Sequence, residues 1–207
     1  MLVFFKENLV LLANPKTGTT ALSTALAKDA DIVFDNRRKH VNAAFLHRKF
    51  APFLSSAFDL TPERAAVIRD PLDVMRSWFR YRQRTEIAES RRSTRETSFE
   101  EFVADVLSDD PPPHARIGRQ SRFLTLKTDG RVPLHHLFAY EAQPRLLAFL
   151  SDRFQREITL PVQNASPNAP AEIGARTEAR FRHAFAADYA IYQRVLDADG
   201  HLHQLLD

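Results

Sequence analysis

The sequence predicts an α/β fold built on a central, mainly parallel sheet. Two short apolar runs, Leu9-Val10-Leu11-Leu12-Ala13 and Ala65-Ala66-Val67-Ile68, have the length and unbroken hydrophobicity of buried parallel strands. Each run passes through a turn into residues at helical spacing. The 207 residues, 44% of them hydrophobic, suffice for one sizeable core, so one domain spanning 1–207 is expected.

In chain order, the first strand feeds Asn14-Pro15-Lys16-Thr17-Gly18-Thr19-Thr20, and Ala21, Leu22, Ala25 and Leu26 follow at helical spacing. A strand, tight turn and helix aim free N–H groups and a partial positive charge at the contents of the turn. Gly18 permits a positive φ and close anion approach. The threonines offer hydroxyls and Lys16 adds a full charge, a set suited to a phosphate or sulfuryl group. The G-x-x-x-x-G-K-[ST] phosphate loop is not present, because the lysine precedes a single glycine. Asp31 to Asp35 reads as a second short strand. Asn36-Arg37-Arg38-Lys39-His40-Val41 is a basic stretch, and His40 is the residue in it whose ordinary pKa suits a general base. Neighbouring arginines favour its neutral form.

Residues 43–58 read as helical or mixed, with Phe45, Leu46, Phe50, Phe53 and Leu54 as core candidates, and His47 as a packed or surface residue. Thr61-Pro62-Glu63 is a helix cap or a turn. After the strand 65–68, Asp70 is a good N-cap and Pro71 suits the first helical position. Arg69 therefore ends a strand at the carboxyl edge, where open α/β sheets bind ligands. Ser77 lies about two turns into the helix, on the face of Asp73. An arginine fork and a hydroxyl so placed can clamp one phosphate. Residues 80–95 carry Arg80, Arg82, Arg84, Arg91, Arg92 and Arg95, the pattern of a solvated run or of a lid over an acidic ligand.

Ser98-Phe99-Glu100-Glu101 is a capping box ahead of an apolar stripe, and Asp109-Asp110-Pro111-Pro112-Pro113 ends that helix. Asp129-Gly130 marks a turn before a strand at 136–140. In that strand His135-His136 has no further histidine or carboxylate at ligand spacing, so no metal is expected. Residues 141–154 and 178–196 read as helical, the latter as one helix or a pair.

Lys16-Thr17-Gly18-Thr19-Thr20 straight after a strand resembles the 5′-phosphosulfate loop of sulfotransferases that use 3′-phosphoadenosine 5′-phosphosulfate (PAPS). Val67-Ile68-Arg69-Asp70-Pro71-Leu72-Asp73-Val74, with Arg76-Ser77 and the aromatics after them, resembles the family's 3′-phosphate element. Lys39-His40 is similar to the Lys-His of several glycan sulfotransferases. Arg119-Gln120-Ser121-Arg122 resembles a segment near cofactor and acceptor, and Leu160-Pro161 followed by Asn164-Ala165-Ser166 is like a late loop of the family. The resemblance implies a P-loop-NTPase-like, three-layer α/β/α fold. It implies PAPS bound through Lys16, Thr17, Gly18, Thr19, Thr20, Arg69 and Ser77, with Lys16 and His40 catalytic and no metal in the reaction. Gln120 would lie near the site and Arg119 would be a candidate phosphate ligand. The aromatic that usually follows Thr-Thr to stack on adenine is replaced by Ala21, a departure from the pattern.

The expected acceptor is a small molecule or a glycan, including an acidic one. A net charge of +3 argues against a nucleic-acid-coating protein. No stretch has the apolar length of a membrane span. Met1 to Asn8 lacks the marks of a signal peptide, and zero cysteines fit a reducing cytoplasm, so a cytoplasmic location is expected. A nucleotide kinase or NTPase with a divergent loop, and a non-catalytic nucleotide-binding module, are the alternative readings.

Overall fold

The computed structural model describes residues 1–127, 129–161 and 169–206, and the Asn164-Ala165-Ser166 stretch lies outside them. One sheet holds six strands in the order β3-β1-β2-β4-β5-β6. They are β1 (Leu2–Phe4), β2 (Leu9–Leu11), β3 (Ile32–Val33), β4 (Glu63–Ile68), β5 (His136–Ala139) and β6 (His201–His203). The centre is parallel, with β2 beside β4 and β4 beside β5. The flanks are antiparallel: β1 pairs with β2 and β3, and β6 with β5. The sheet is therefore mixed around a parallel centre, a refinement of the expected mainly parallel sheet.

The helices are α1 (Thr19–Leu26), α2 (Ala43–Phe45), α3 (Ala51–Phe58), α4 (Pro71–Tyr81), α5 (Phe99–Val106), α6 (Gln120–Leu124), α7 (Gln143–Phe154), α8 (Ala175–Ala184) and α9 (Ala186–Asp197). A π-helical stretch, Leu46–Phe50, joins α2 to α3. Alternation along each strand divides the core. Val10, Ala66, Ile68, Leu137 and Ala139 pack with Leu46, Leu54, Leu124, Ile191 and Val195 of α3, α6, α9 and the π-helical stretch. Leu9, Leu11, Ala65, Val67 and Phe138 face the other way, onto Leu22 and Leu26 of α1 and Leu146 and Leu150 of α7. Helices thus cover both faces. A third cluster, with Met75, Phe79, Phe102 and Phe181, ties α4, α5 and α8 together beside the sheet.

Local signals set the ends of these elements. Asp70 accepts hydrogen bonds from the N–H groups of Leu72 and Asp73, so α4 starts at Pro71. Ser98 and Glu101 close their capping box on α5. Two expectations change. Glu63 opens β4, so Thr61-Pro62 leads directly into a strand and caps no helix. Phe45 and Phe53, expected in the core, are 46% and 47% exposed, because Leu46 and Leu54 turn that helix's buried face inward. Among the described residues no helix is long and apolar enough to cross a membrane.

Candidate functional site

The loop after β2 has a backbone shaped for close approach. Lys16 has φ 67° and Gly18 has φ 75°, both left-handed, and Gly18 is the N-cap of α1. No side chain caps that helix, so its first N–H groups have no intrahelical partner. A Cβ on Gly18 would come within 3.3 Å of the Tyr140 ring, which adds a packing reason for glycine. Not all the threonine hydroxyls face outward. Thr17 is buried and donates its proton to the Asn14 carbonyl at 2.8 Å, so it braces the turn from within. Thr19 is buried and Thr20 exposed.

Arg69 leaves β4 at the same sheet edge. Its Nη1 donates to the Lys16 carbonyl at 3.5 Å, so the two loops meet. Its guanidinium lies 4.4 Å over the Tyr140 ring, and its Nε is buried with no hydrogen-bond partner. Gln120, buried at the start of α6, locks the loops together. Its Oε1 accepts from Asn14 Nδ2 at 3.0 Å and from the Arg69 N–H at 3.0 Å, and its Nε2 donates to the Arg69 carbonyl at 2.7 Å. Sequence placed Gln120 near the site; the structure gives it this bracing contact between the two loops. Ser77 is half-buried on α4 and makes no hydrogen bond to Arg69 among the described residues.

Lys16 is held by rings. Its Nζ sits 4.3 Å from the centre of Tyr81 and 5.1 Å from that of Trp78, both on α4. Among the described residues no carboxylate lies within ion-pair distance of it. Burial, then the positive charges of Arg84, Arg69 and Arg82, push its pKa down to about 8. Sequence could have flagged these rings through the Trp78-Phe79-Arg80-Tyr81 run, but nothing in it shows that they receive Lys16.

His40 reaches the same place from the basic stretch after β3. Its Nδ1 stands 2.7 Å from the Ala13 carbonyl. A carbonyl only accepts, so Nδ1 carries the proton and the neutral ring keeps its lone pair on Nε2. Burial lowers the His40 pKa, opposed in part by that hydrogen bond and helped by the charge of Lys39. His40 lines a cleft of about 250 Å³ together with Asn14, Trp78, Arg119, Gln120 and Arg122. The ring of Trp78 thus borders both the cleft and Lys16.

Other basic residues differ from their expected roles. The 80–95 run is not simply solvated. Arg82 is buried and donates to the His114 and Pro113 carbonyls, Arg80 donates to Ala169 O, and Arg95 to Gln83 O. Thr94, fully buried, anchors the run to Phe79 O. Arg119 donates to the Ala184 carbonyl and stacks 4.1 Å over Phe185, so its guanidinium is already engaged. His135-His136 acquires company that spacing did not show: Glu63 and His203, from other strands, bring ligand-type atoms within 4.8 Å of one another and of His136.

The arrangement can bind an anion between two cationic loops and take a proton at His40 Nε2 in the adjoining cleft. The chain matches no family model, no curated protein and no solved structure.

Proposed function

We propose that this chain moves a sulfuryl group from PAPS to a hydroxyl or amine of an acceptor, with carbohydrate the favoured class. The observation that supports this reading best is the meeting of Arg69 with the Lys16 loop, 3.5 Å from Nη1 to the carbonyl, at the carboxyl ends of two neighbouring parallel strands. One nucleotide with phosphates at its 3′ and 5′ positions spans two such cradles.

In this reading His40 Nε2 takes the acceptor's proton as the acceptor oxygen attacks sulfur. The bond from sulfur to the bridging oxygen breaks in line, and negative charge grows on the leaving phosphate. Lys16 and the open N–H groups at the start of α1 meet that charge. Arg69 at the end of β4 and Ser77 on α4 together hold the 3′-phosphate in this reading, and its binding energy positions the reacting end. Trp78 and the cleft around His40 receive the acceptor. This chemistry needs no metal, unlike Mg²⁺-dependent phosphoryl transfer.

The test is thermal shift with 3′,5′-phosphoadenosine against ATP and Mg²⁺, followed by labelled-sulfate transfer to an acceptor panel. The bisphosphate should raise the melting temperature more than ATP does, and Arg69→Ala should weaken that response. A larger response to ATP, with activity lost to EDTA and restored by Mg²⁺ but not by Zn²⁺, would transfer the reading to a kinase or NTPase. Tight bisphosphate binding with no transfer to any acceptor would leave a non-catalytic binding module.

A further inference from the structure

The opposite end of the parallel strands carries a second concentration of chemistry. Of the chain's 8 histidines, His135, His136, His201 and His203 gather there, on β6 and on β5 with the residue before it. The strand period explains why some of them meet. His136 is in register with His203 and with Ala65, two residues after Glu63. Glu63, His136 and His203 therefore point to one face of the sheet, the face covered by α7.

We infer that Glu63, His136 and His203 form a binding site for a divalent transition metal of the zinc type. Two imidazoles and one carboxylate are a zinc-like donor set, and three protein ligands leave one position for water. Glu63 Oε2 and His136 Nε2 are 3.3 Å apart. That matches the edge of about 3.3 Å for a tetrahedron with bonds of ~2.0–2.1 Å, and it is long for a hydrogen bond. The third ligand atom lies within 4.8 Å of both.

The surroundings orient these groups. His136 is buried, and its Nδ1 is 3.0 Å from His201 Nε2, so Nδ1 can donate there and leave Nε2 free for the ion. Arg153 of α7 donates to the same Glu63 oxygen, Oε2, so it fixes the direction of the carboxylate and an ion meets that group at its remaining lone pairs. His203 is exposed, and its ring lies parallel to that of His136 at 4.6 Å. It closes the site by turning about its own side-chain torsions. The bound ion ties β6, a strand of three residues at the sheet edge, to β4 and β5.

This inference is independent of the sulfuryl-transfer reading. The experiment titrates the EDTA-treated full chain with Zn²⁺ by calorimetry and with Co²⁺ by visible absorption. One equivalent should bind, with a tetrahedral Co²⁺ spectrum and a raised melting temperature. His203→Ala, at an exposed position, and Glu63→Gln should each lower Zn²⁺ affinity at least ~10-fold, and His201→Ala by ~10–100-fold. His183→Ala, an exposed histidine on α8, should change nothing. The absence of stoichiometric binding overturns the site, as does unchanged affinity in His203→Ala. The response to 3′,5′-phosphoadenosine should be the same in His203→Ala as in the native chain.

Discussion

At the carboxyl ends of β2 and β4, the Arg69 guanidinium reaches the Lys16 loop, no carboxylate among the described residues pairs with Lys16, and the lysine's pKa is pushed down to about 8. At the amino ends of β4 and β5, Arg153 pairs with Glu63, which also faces His136, and Arg64 meets His47. Lys16 at the first end thus has no carboxylate partner among the described residues, whereas Glu63 at the second has its cation in Arg153. Uncompensated like charges raise the energy of the ligand-free protein, and an anion relieves them.

The largest expected effect is on His40. His40→Ala should lower transfer by ~10²–10⁴-fold while leaving 3′,5′-phosphoadenosine affinity unchanged, measured by single-turnover kinetics beside calorimetry. Unaltered transfer would move the base to another residue. Lys16→Met keeps a side chain against Trp78 and Tyr81 and removes only the charge. It should lower transfer by ~10²–10³-fold. A comparable loss from His203→Ala, at the other end, would erase the contrast between the two ends.

Gln120→Leu tests the brace between the loops. It leaves Asn14 Nδ2 with only the Val67 carbonyl and removes both Gln120 partners of the Arg69 backbone, at a cost of ~1–3 kcal/mol, read as a lower denaturant midpoint together with weaker nucleotide binding. A drop in stability with nucleotide affinity intact would separate the brace from the site.

The pH dependence gives the smallest effect and the sharpest sign. The kcat/KM for transfer should rise through a pH below the ordinary histidine value of 6.5, as His40 becomes neutral, and fall above about 8 as Lys16 loses its proton. Above pH 8 the fall should approach about tenfold per pH unit. Stability should move the opposite way. Between about 8 and 10.5 the unfolded chain holds the Lys16 proton more tightly than the folded one, so the ligand-free protein gains stability as pH rises. Lys16→Met should flatten both trends.

How legible these regions were differs for physical reasons. The loop 14–20 and the start of α4 were readable because their signals are local: an apolar run, a capping aspartate, a proline at the first helical turn. The antiparallel flanks were not. β1 and β6 have three residues each, too few for a period, and their pairing is decided by neighbours far along the chain. The meeting of Glu63, His136 and His203 was hidden for the same reason, since it depends on the register of three strands. Arg82 looked like one charge in a solvated run; its burial comes from carbonyls at 113 and 114 that no local pattern announces. His40 was singled out by residue type alone, and the carbonyl that sets its tautomer belongs to Ala13.

The left-handed backbone at Lys16 has a further consequence. Any residue with a Cβ bears roughly 1–2 kcal/mol in that conformation, and glycine bears none. Drift toward sturdier variants would therefore favour glycine at position 16, and with it the loss of the cation on which the proposed sulfuryl transfer relies. If the proposed transfer holds, a cation at that corner is a choice of reactivity over robustness, written into a single pair of dihedral angles.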